Sequence, residues 1–404
     1  MMEKFRNKSM KTPFTLLTLL MATSSIAFAE GVPNEFTAGQ PAVAAEVNEN
    51  FTHITDRLDI NETDITDLGD RVTTLEGVTD PASTTVNVNC PDDSISDAIA
   101  NAPAYGELIL NISGACKETV VIRRDNLALI GQGAASTSIS YDVPVTTSKY
   151  RDSIINTITV ISADGILIEG LTVKDAPSGS IGIAVTGGTG ISMLHGSSVL
   201  IKDSIIENNH VGVDSRHSSS AQLSGTTIQN NSNYDLLIRD GSSVGIRENN
   251  TISNTNPNVT ASIGIYRNGN LHISQGNNTL THNVSDANVI EAYYNSNVRI
   301  SSGTATVTGN IRSDYNSVID IRDAVVNGNL MAIRNSIMRL RPIGDVTVNG
   351  DVSIWALGLF QVSPNVGTAT INGDIICAGY NSAVFGATPD IVTGSTDRDG
   401  TCNL

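Results

Sequence analysis

The sequence predicts an all-β fold, a parallel β-solenoid preceded by a short α-helical coiled coil. Three patterns predict it. The first is a motif of one apolar residue, two small or polar residues and a turn residue. It recurs as IENN (206–209), IQNN (228–231), ISNT (252–255), LTHN (280–283), VTGN (307–310), VNGN (326–329), VNGD (348–351) and INGD (371–374). Its turn residues are Asn209, Asn231, Thr255, Asn283, Asn310, Asn329, Asp351 and Asp374, at steps of 22, 24, 28, 27, 19, 22 and 23 residues. A near-regular period in this range marks a solenoid. The second pattern is a strand repeat upstream of most turn residues: GSSVLI (196–201), SSSAQL (218–223), GSSVGI (241–246), NGNLHI (268–273), NSNVRI (295–300), NSVIDI (316–321) and NSIMRL (335–340). The third is a heptad register near the N-terminus.

Stacked strands lie about 4.8 Å apart, so one residue per coil forms a column at that spacing. Asn suits a buried column because its amide both donates and accepts and because it tolerates the left-handed conformation. The pairs Val199/Ile201, Val244/Ile246, Leu271/Ile273 and Val298/Ile300 alternate with period two, as strands do. Gly, Ser and Asn clusters bound each strand. A helical solenoid would need 3.6-period stretches, which this region lacks, and a β-sandwich would not stack identical turns.

The elements follow in order. Residues 1–29 read as a secretory signal peptide, with Lys4, Arg6, Lys8 and Lys11 before the apolar run from Phe14 to Ala22 and a small-x-small site at Ala27-Phe28-Ala29. The apolar run is too short to span a membrane, and no later segment could span one. Residues 30–46 form a polar leading segment rich in Pro, Gly and Ala. In 47–76, Phe51, Leu58, Ile65 and Val72 take heptad position a, and Ile54, Asn61, Leu68 and Leu75 take position d. That register predicts a coiled coil, and a polar Asn in the seam fixes register and oligomer state. A homotrimer is the expected state; a lone amphipathic helix is the competing reading. Residues 77–85 are a linker. Ile95, Ala98, Ile99 and Ala102 predict one short helix capped by Asp93 or Ser94. Coils then run over 86–379, and 380–404 lose the period and cover the C-terminal end.

Together these features resemble the right-handed parallel β-helix of the pectate-lyase-like superfamily, over residues 86–379. The resemblance implies that the short helix plugs the N-terminal end of the solenoid. The stretch FTAGQPAVAAEVNENF is similar to the leading segment of exported bacterial and phage-like fibre proteins. The chain departs from the enzymes of the superfamily. It lacks a compact acidic cluster like the calcium site of pectate lyases, the paired-aspartate motif of polygalacturonase-like hydrolases and the DPHD motif of alginate epimerases. No cofactor is expected, and calcium, which the resemblance brings in, has no clear site. Asp175 and Asp203 share an offset that would let them stack on successive coils, but each follows a Lys at a strand end, and the expected role is a turn carboxylate paired with Lys174 or Lys202.

The 404 residues carry a net charge of −17, which becomes −20 without the signal peptide. That balance argues against nucleic acid as a partner. Export makes disulfides the expected state of Cys90, Cys116, Cys377 and Cys402. Of the three connectivities, Cys90–Cys116 with Cys377–Cys402 is favoured, one staple at each end.

The repeated strand also orders the polar residues. With Val199 and Ile201 inward, Gln222, Ser224, Arg247, His272, Ser274, Arg299, Ser301, Asp320, Arg322, Arg339 and Arg341 point outward. The preceding turn carries His195, His217, Asp240, Arg267, Tyr294, Tyr315 and Arg334, beside Arg216, Arg239, Tyr266, Tyr293 and Asp314. One ridge thus gathers most Arg, Tyr and His residues of the repeats. Guanidiniums bind carboxylate or sulfate in bidentate fashion, and tyrosine rings offer flat faces to sugars. The expected substrate-binding set is Arg247, Arg267, Arg299, Arg322, Arg339, Arg341, Tyr266, Tyr293, Tyr294 and Tyr315. The first reading is a secreted, non-catalytic protein that binds a polysaccharide or a cell-surface glycan. The second is a polysaccharide lyase acting on an acidic polymer, with Arg299, Arg322, Tyr294, Tyr315 and His272 as candidates for base and charge neutraliser. The third is a structural fibre or adhesin shaft. The bland alternative pairs outward Arg and Asp across rungs simply to solubilise the sheet. His210, His217, His272 and His282 read as solvated turn residues rather than metal ligands.

Overall fold

A computed structural model describes residues 39, 41, 43–76, 83–142, 156–177, 188–284, 287–301, 305–363, 366–378, 382–386, 392 and 396–397. The expected signal peptide, most of the leading segment and linker, and Cys402 lie outside them. The chain divides into two units, 1–79 and 80–404. Among its described residues the first contains one helix, α1 (Ala44–Glu76, 33 residues). Phe51, Ile54, Leu58, Ile65 and Leu68 stand exposed along it, and Asn61 is exposed in the same register.

The second unit is a coil of three parallel sheets, A, B and C, visited in that order on every turn. Sheets A and B share 23 strands, joined by Leu108–Lys117, which pairs in both, and sheet C has 12. Every pairing is parallel and links equivalent strands of successive turns, as in Ser198–Lys202 on Ser220–Ser224 on Ser243–Arg247. The period-two pattern decides what is inside. Val199, Ile201, Leu223, Val244, Ile246, Leu271, Ile273, Val298 and Ile300 are all buried. Sheet B adds one apolar residue per turn, including Ile206, Ile228, Ile252, Leu280 and Val307. Each such side chain is worth roughly 1.5–3 kcal/mol of burial, and the stack makes one continuous core.

A short helix, α2 (Ile95–Asn101), sits over the first turns, with Ile95 buried and Ala98, Ile99 and Ala102 packed on the core. Ser94 is its N-cap, accepting from Asp97 N. Glu118, on the first full turn, accepts from Ile95 N at 2.8 Å and Ser96 N at 3.0 Å, so its carboxylate satisfies donors the helix leaves unpaired. Cys90 and Cys116 form a disulfide with Cα atoms 5.0 Å apart. Gly114 makes the approach feasible: a Cβ there would lie 2.4 Å from Cys90 O. Cys377 is also disulfide-bonded.

Three corners organise each turn. At the B-to-C corner, Asn209 N and Nδ2 donate to Asn231 Oδ1 at 3.0 and 3.1 Å, and Asn231 Nδ2 donates to Asp235 Oδ1 at 2.8 Å. The ladder then departs from the expected one. Thr255 and Asn283 are exposed, and the preceding Asn254 and His282, paired in register, are the buried residues. Asn283 therefore does not belong to the buried column. The reason is length: these two rungs have longer B-to-C turns, residues 255–260 and 283–287, than the rungs of Asn209 and Asn231. The tight corner that precedes Asn209 and Asn231, with Asn208 and Asn230 left-handed (φ 56 and 55), does not recur there. From Asn310 the ladder resumes in the opposite sense. Asn329 N donates to Asn310 Oδ1, Asp351 N to Asn329 Oδ1 and Asp374 N to Asp351 Oδ1, each at 2.8 Å. A carboxylate only accepts, so backbone donors carry this end of the column.

At the A-to-B corner a second amide column, absent from the sequence reading, links Thr226 N to Asn250 Oδ1 and Asn250 N to Asn278 Oδ1, both at 3.0 Å. At the C-to-A corner two consecutive residues are left-handed on eight successive turns, from His195 (φ 57) and Gly196 (φ 78) to Ala356 (φ 48) and Leu357 (φ 71). A buried serine usually follows, as at Ser197, Ser219, Ser242, Ser296, Ser317 and Ser336. Ser219 N donates to Ser242 Oγ at 3.1 Å and Ser296 N to Ser317 Oγ at 3.2 Å, so hydroxyls tie this corner from turn to turn.

Two further expectations are corrected. Asp175 follows a sheet B strand and Asp203 a sheet A strand, so they occupy different corners and do not stack. Lys202 reaches across to Glu169 at 2.7 Å and to Asp203 at 3.7 Å. The coil also continues beyond 379: Ala383–Phe385 pairs in sheet A, Val392 bridges to Ile371, and Thr396–Asp397 pairs in sheet C.

Candidate functional site

Two clefts lie on different faces of the coil and share no lining residue. The first, about 640 Å³, runs along the outer face of sheet A. Parallel register stacks Gly245, His272, Arg299, Asp320 and Arg339 in one column, while Arg247, Arg322 and Arg341 lie beside it. Asp320 holds two of these arginines. Arg322 Nε donates to its Oδ2 and Arg341 Nε to its Oδ1, each at 2.9 Å. Burial opposes ionisation of Asp320, but the two guanidiniums outweigh it and hold its carboxyl below the usual carboxylate range. Arg247, Arg299 and Arg339 have no carboxylate partner among the described residues. Arg339 Nε is buried without any hydrogen-bond partner. His272 Nε2 meets Ser301 Oγ at 2.7 Å. Burial pushes the His272 imidazole below its ordinary value, and the positive field of Arg299, Arg247 and Arg322 lowers it further, so it is neutral at pH 7.

The second cleft, about 550 Å³, lies on sheet C between the two long B-to-C turns. Its floor is Glu291, 4% exposed, whose Oε1 accepts from Tyr234 Oη at 3.0 Å and from Tyr266 Oη. Tyr234 and Tyr266 hydroxyls also meet at 2.8 Å. Gly264, one rung before Glu291 in register, clears the space: a Cβ there would lie 2.7 Å from Tyr266 Cε2 and 2.8 Å from Tyr234 Cε1. Burial raises the Tyr266 phenol, as does the neighbouring Glu291 carboxylate, and the same two causes push Tyr293 up to about 12. Both remain donors. Arg312 lies over the Tyr293 ring at 5.4 Å and donates to Asp314 Oδ2 at 2.8 Å.

Between the clefts runs the C-to-A corner. His195 and His217 stack at 4.9 Å, Arg267 Nε pairs with Asp240 at 2.9 Å, Tyr294 and Tyr315 stack at 4.8 Å, and Arg334 lies over Tyr315 at 4.0 Å. Tyr266 and Tyr293 stack too, at 5.4 Å and 9°. Rings on successive turns therefore cover part of one another's faces, while Tyr294 remains half exposed.

Residues 134–334 match a family model described as a right handed beta helix region. This is a right-handed β-helix protein. No curated protein matches the chain. Among solved structures, an alginate lyase from Paenibacillus is similar at 13% identity and a TM-score of 0.34, covering 76% of this chain and 98% of that one. The pectin methylesterase PemA from Erwinia chrysanthemi is similar at 14% identity and a TM-score of 0.30, covering 80% and 94%. A carrot pectin methylesterase is similar at 12% identity and a TM-score of 0.27, covering 76% and 89%.

The β-helix brings some expected site residues together and separates others. Arg247, Arg299, Arg322, Arg339, Arg341 and His272 share the sheet A cleft. Tyr266 and Tyr293 line the sheet C cleft, and Tyr294, Tyr315 and Arg267 stand on the corner. The single Arg/Tyr ridge is therefore three separate features. Neither Tyr294 nor Tyr315 lines the cleft that holds Arg299 and His272. Ser224, Ser274, Ser301 and Asp320 point outward yet are buried beneath their neighbours. Arg216 and Arg239 converge on Asp214, with Arg239 bidentate at 3.2 and 2.7 Å. His282 is buried rather than solvated, and His210 bonds Ser232 at 3.1 Å.

Tyr234, Glu291 and Arg312 were not singled out from sequence. A signal was present, because the steps of 28 and 27 residues are the longest of the ladder and residues of their turns line this cleft. Among the described residues, the grouping of three metal-ligating types is Cys90, Cys116 and Glu118. The two sulfurs are joined to each other and the carboxylate serves α2. No helix among the described residues is long and apolar enough to cross a membrane.

Proposed function

We propose that this β-helix protein is exported and binds an acidic polysaccharide along the sheet A cleft, without turning it over. One observation carries the reading: Arg247, Arg299 and Arg339, none paired to a carboxylate, converge in one groove of a chain with net charge −17. Unpaired guanidiniums on alternate rungs of one groove repel one another, and a polymer of uronates or sulfates removes that cost through bidentate hydrogen bonds. Asp320 keeps Arg322 and Arg341 fixed at the end of the row. The exposed apolar register of α1 supports the accompanying proposal that three copies assemble through residues 47–76. Three copies of the groove in one assembly would raise avidity.

A second reading is favoured by His272, neutral and flanked in register by Gly245 and Arg299. It is placed to serve as the base of a uronate lyase with Arg299 as charge neutraliser. The experiment that separates the two is affinity electrophoresis in gels containing polygalacturonate or alginate, alongside ultraviolet absorbance of unsaturated product. The binding reading expects retardation that fades with added salt, weakens several-fold in Arg299→Ala and in Arg339→Ala, and comes with no absorbance change. Equal retardation by uncharged polymers would overturn it. Absorbance growth that disappears in His272→Ala would establish the lyase instead.

A further inference from the structure

We propose that the sheet C cleft is a second carbohydrate site, one that takes a neutral, hydroxyl-rich sugar rather than the acidic polymer of sheet A. The cleft is built rather than incidental. Pro257 and Val259 on one B-to-C turn and Val284 on the next wall it, while Gly264 makes room for the two phenols that lie against Glu291.

Its hydrogen-bonding capacity is unspent. Both phenols converge on Glu291 Oε1, and Oε2 accepts from no described residue. Asn288 Oδ1 and Arg312 Nε, both from lining residues, are buried without a partner. Buried polar groups are ordinarily satisfied, and leaving them unpaired costs free energy. Two acceptors and one donor among the lining residues are what the vicinal hydroxyls of a pyranose, each of which both donates and accepts, would satisfy. A local water bridging to these atoms would extend the same reach.

Charge sets the class of ligand. Of the two ionised groups that line the cleft, Arg312 is held by Asp314 and lies over Tyr293, whereas Glu291 on the floor has no cationic partner among the described residues. A uronate would meet that carboxylate and be repelled. A compact cation would find Arg312 already lying over Tyr293. An uncharged ring avoids both conflicts, and the apolar wall residues accept its C–H face.

The test is isothermal titration of the full chain with neutral tetrasaccharides of glucose, galactose and N-acetylglucosamine, repeated in about 0.5 M salt, where charge–charge attraction is screened. The expected result is binding of at least one tetrasaccharide that salt leaves unchanged. Glu291→Gln and Tyr266→Phe should each weaken it about tenfold or more, with the unfolding temperature of Tyr266→Phe confirming an intact fold. Arg299→Ala should leave it untouched, which separates this site from the sheet A proposal. Gly264→Ala, which forces the phenols off the floor, should also abolish it. Failure of every neutral tetrasaccharide, binding indifferent to Tyr266→Phe, or binding of tetramethylammonium in place of sugars would each overturn the proposal.

Discussion

Asp235 shows how much chemistry one residue can place inside a coil. It is fully buried beside the amide column, accepting from Asn231 Nδ2 at 2.8 Å and Asn254 Nδ2 at 3.0 Å. Burial outweighs those bonds and pushes its carboxyl up to about 7. In the unfolded chain the group titrates near its ordinary value of about 3.9. Between the two values the folded state holds the extra proton. The stabilisation is therefore complete below about pH 4 and is lost as pH rises to about 7, at a slope of up to about 1.4 kcal/mol per pH unit. Urea melts of wild type and Asp235→Asn at several pH values across that window check this. The variant should show a flatter profile, and parallel profiles would refute the assignment. The sequence offered no hint of this role, because Asp235 lies off the repeated motif. Asn209 and Asn231 were legible since short turns hold the motif in register. Thr255 and Asn283 misled for the opposite reason: longer turns shift the inward position by one residue, and a motif aligned by sequence alone cannot register that shift.

At the scale of elements, pattern read well and orientation read poorly. The alternation at Val199/Ile201 and its equivalents located every inward position because side-chain direction in a strand has period two. The same logic placed His272 and Arg299 on one face. It could not show that Tyr266 and Tyr293 stack face to face, since ring direction depends on packing against the next turn. Helix α1 leaves Phe51, Leu58 and Ile65 in water, a costly arrangement that a second and third copy would relieve. Size-exclusion chromatography with light scattering should give a trimer for the full chain and a monomer after deletion of residues 47–76. A monomer in both removes the coiled coil. The C-to-A corner supplies a further expectation. Leu357 is exposed yet left-handed at φ 71, a conformation that costs a residue with a Cβ about 1–2 kcal/mol relative to glycine. Leu357→Gly should raise stability by about 1 kcal/mol in denaturant melts. Loss of stability would mean that the leucine packs usefully.

For the whole molecule, the solenoid explains why two clefts of opposite character coexist. Each turn contacts its neighbours only, so insertions at one corner do not propagate to the others. The long turns 255–260 and 283–287 build the sheet C cleft, while the sheet A strands opposite keep their spacing and their arginine column. Side-chain chemistry is thereby distributed by face: arginines line the cleft on A, tyrosines and a carboxylate the cleft on C. The sequence disclosed the sheet A face because the repeat itself aligned its arginines. It concealed the sheet C face because that site is made by departures from the repeat.

The paired left-handed residues of the C-to-A corner carry one more consequence. The same backbone state accepts His195, His217, Asp240, Arg267, Tyr294, Tyr315, Arg334 and Ala356 in turn. The geometry is thus indifferent to which side chain occupies it. This edge behaves as a row of identical sockets at a fixed pitch of about 4.8 Å. What is mounted there can be exchanged, one socket at a time, without asking anything of the core behind it.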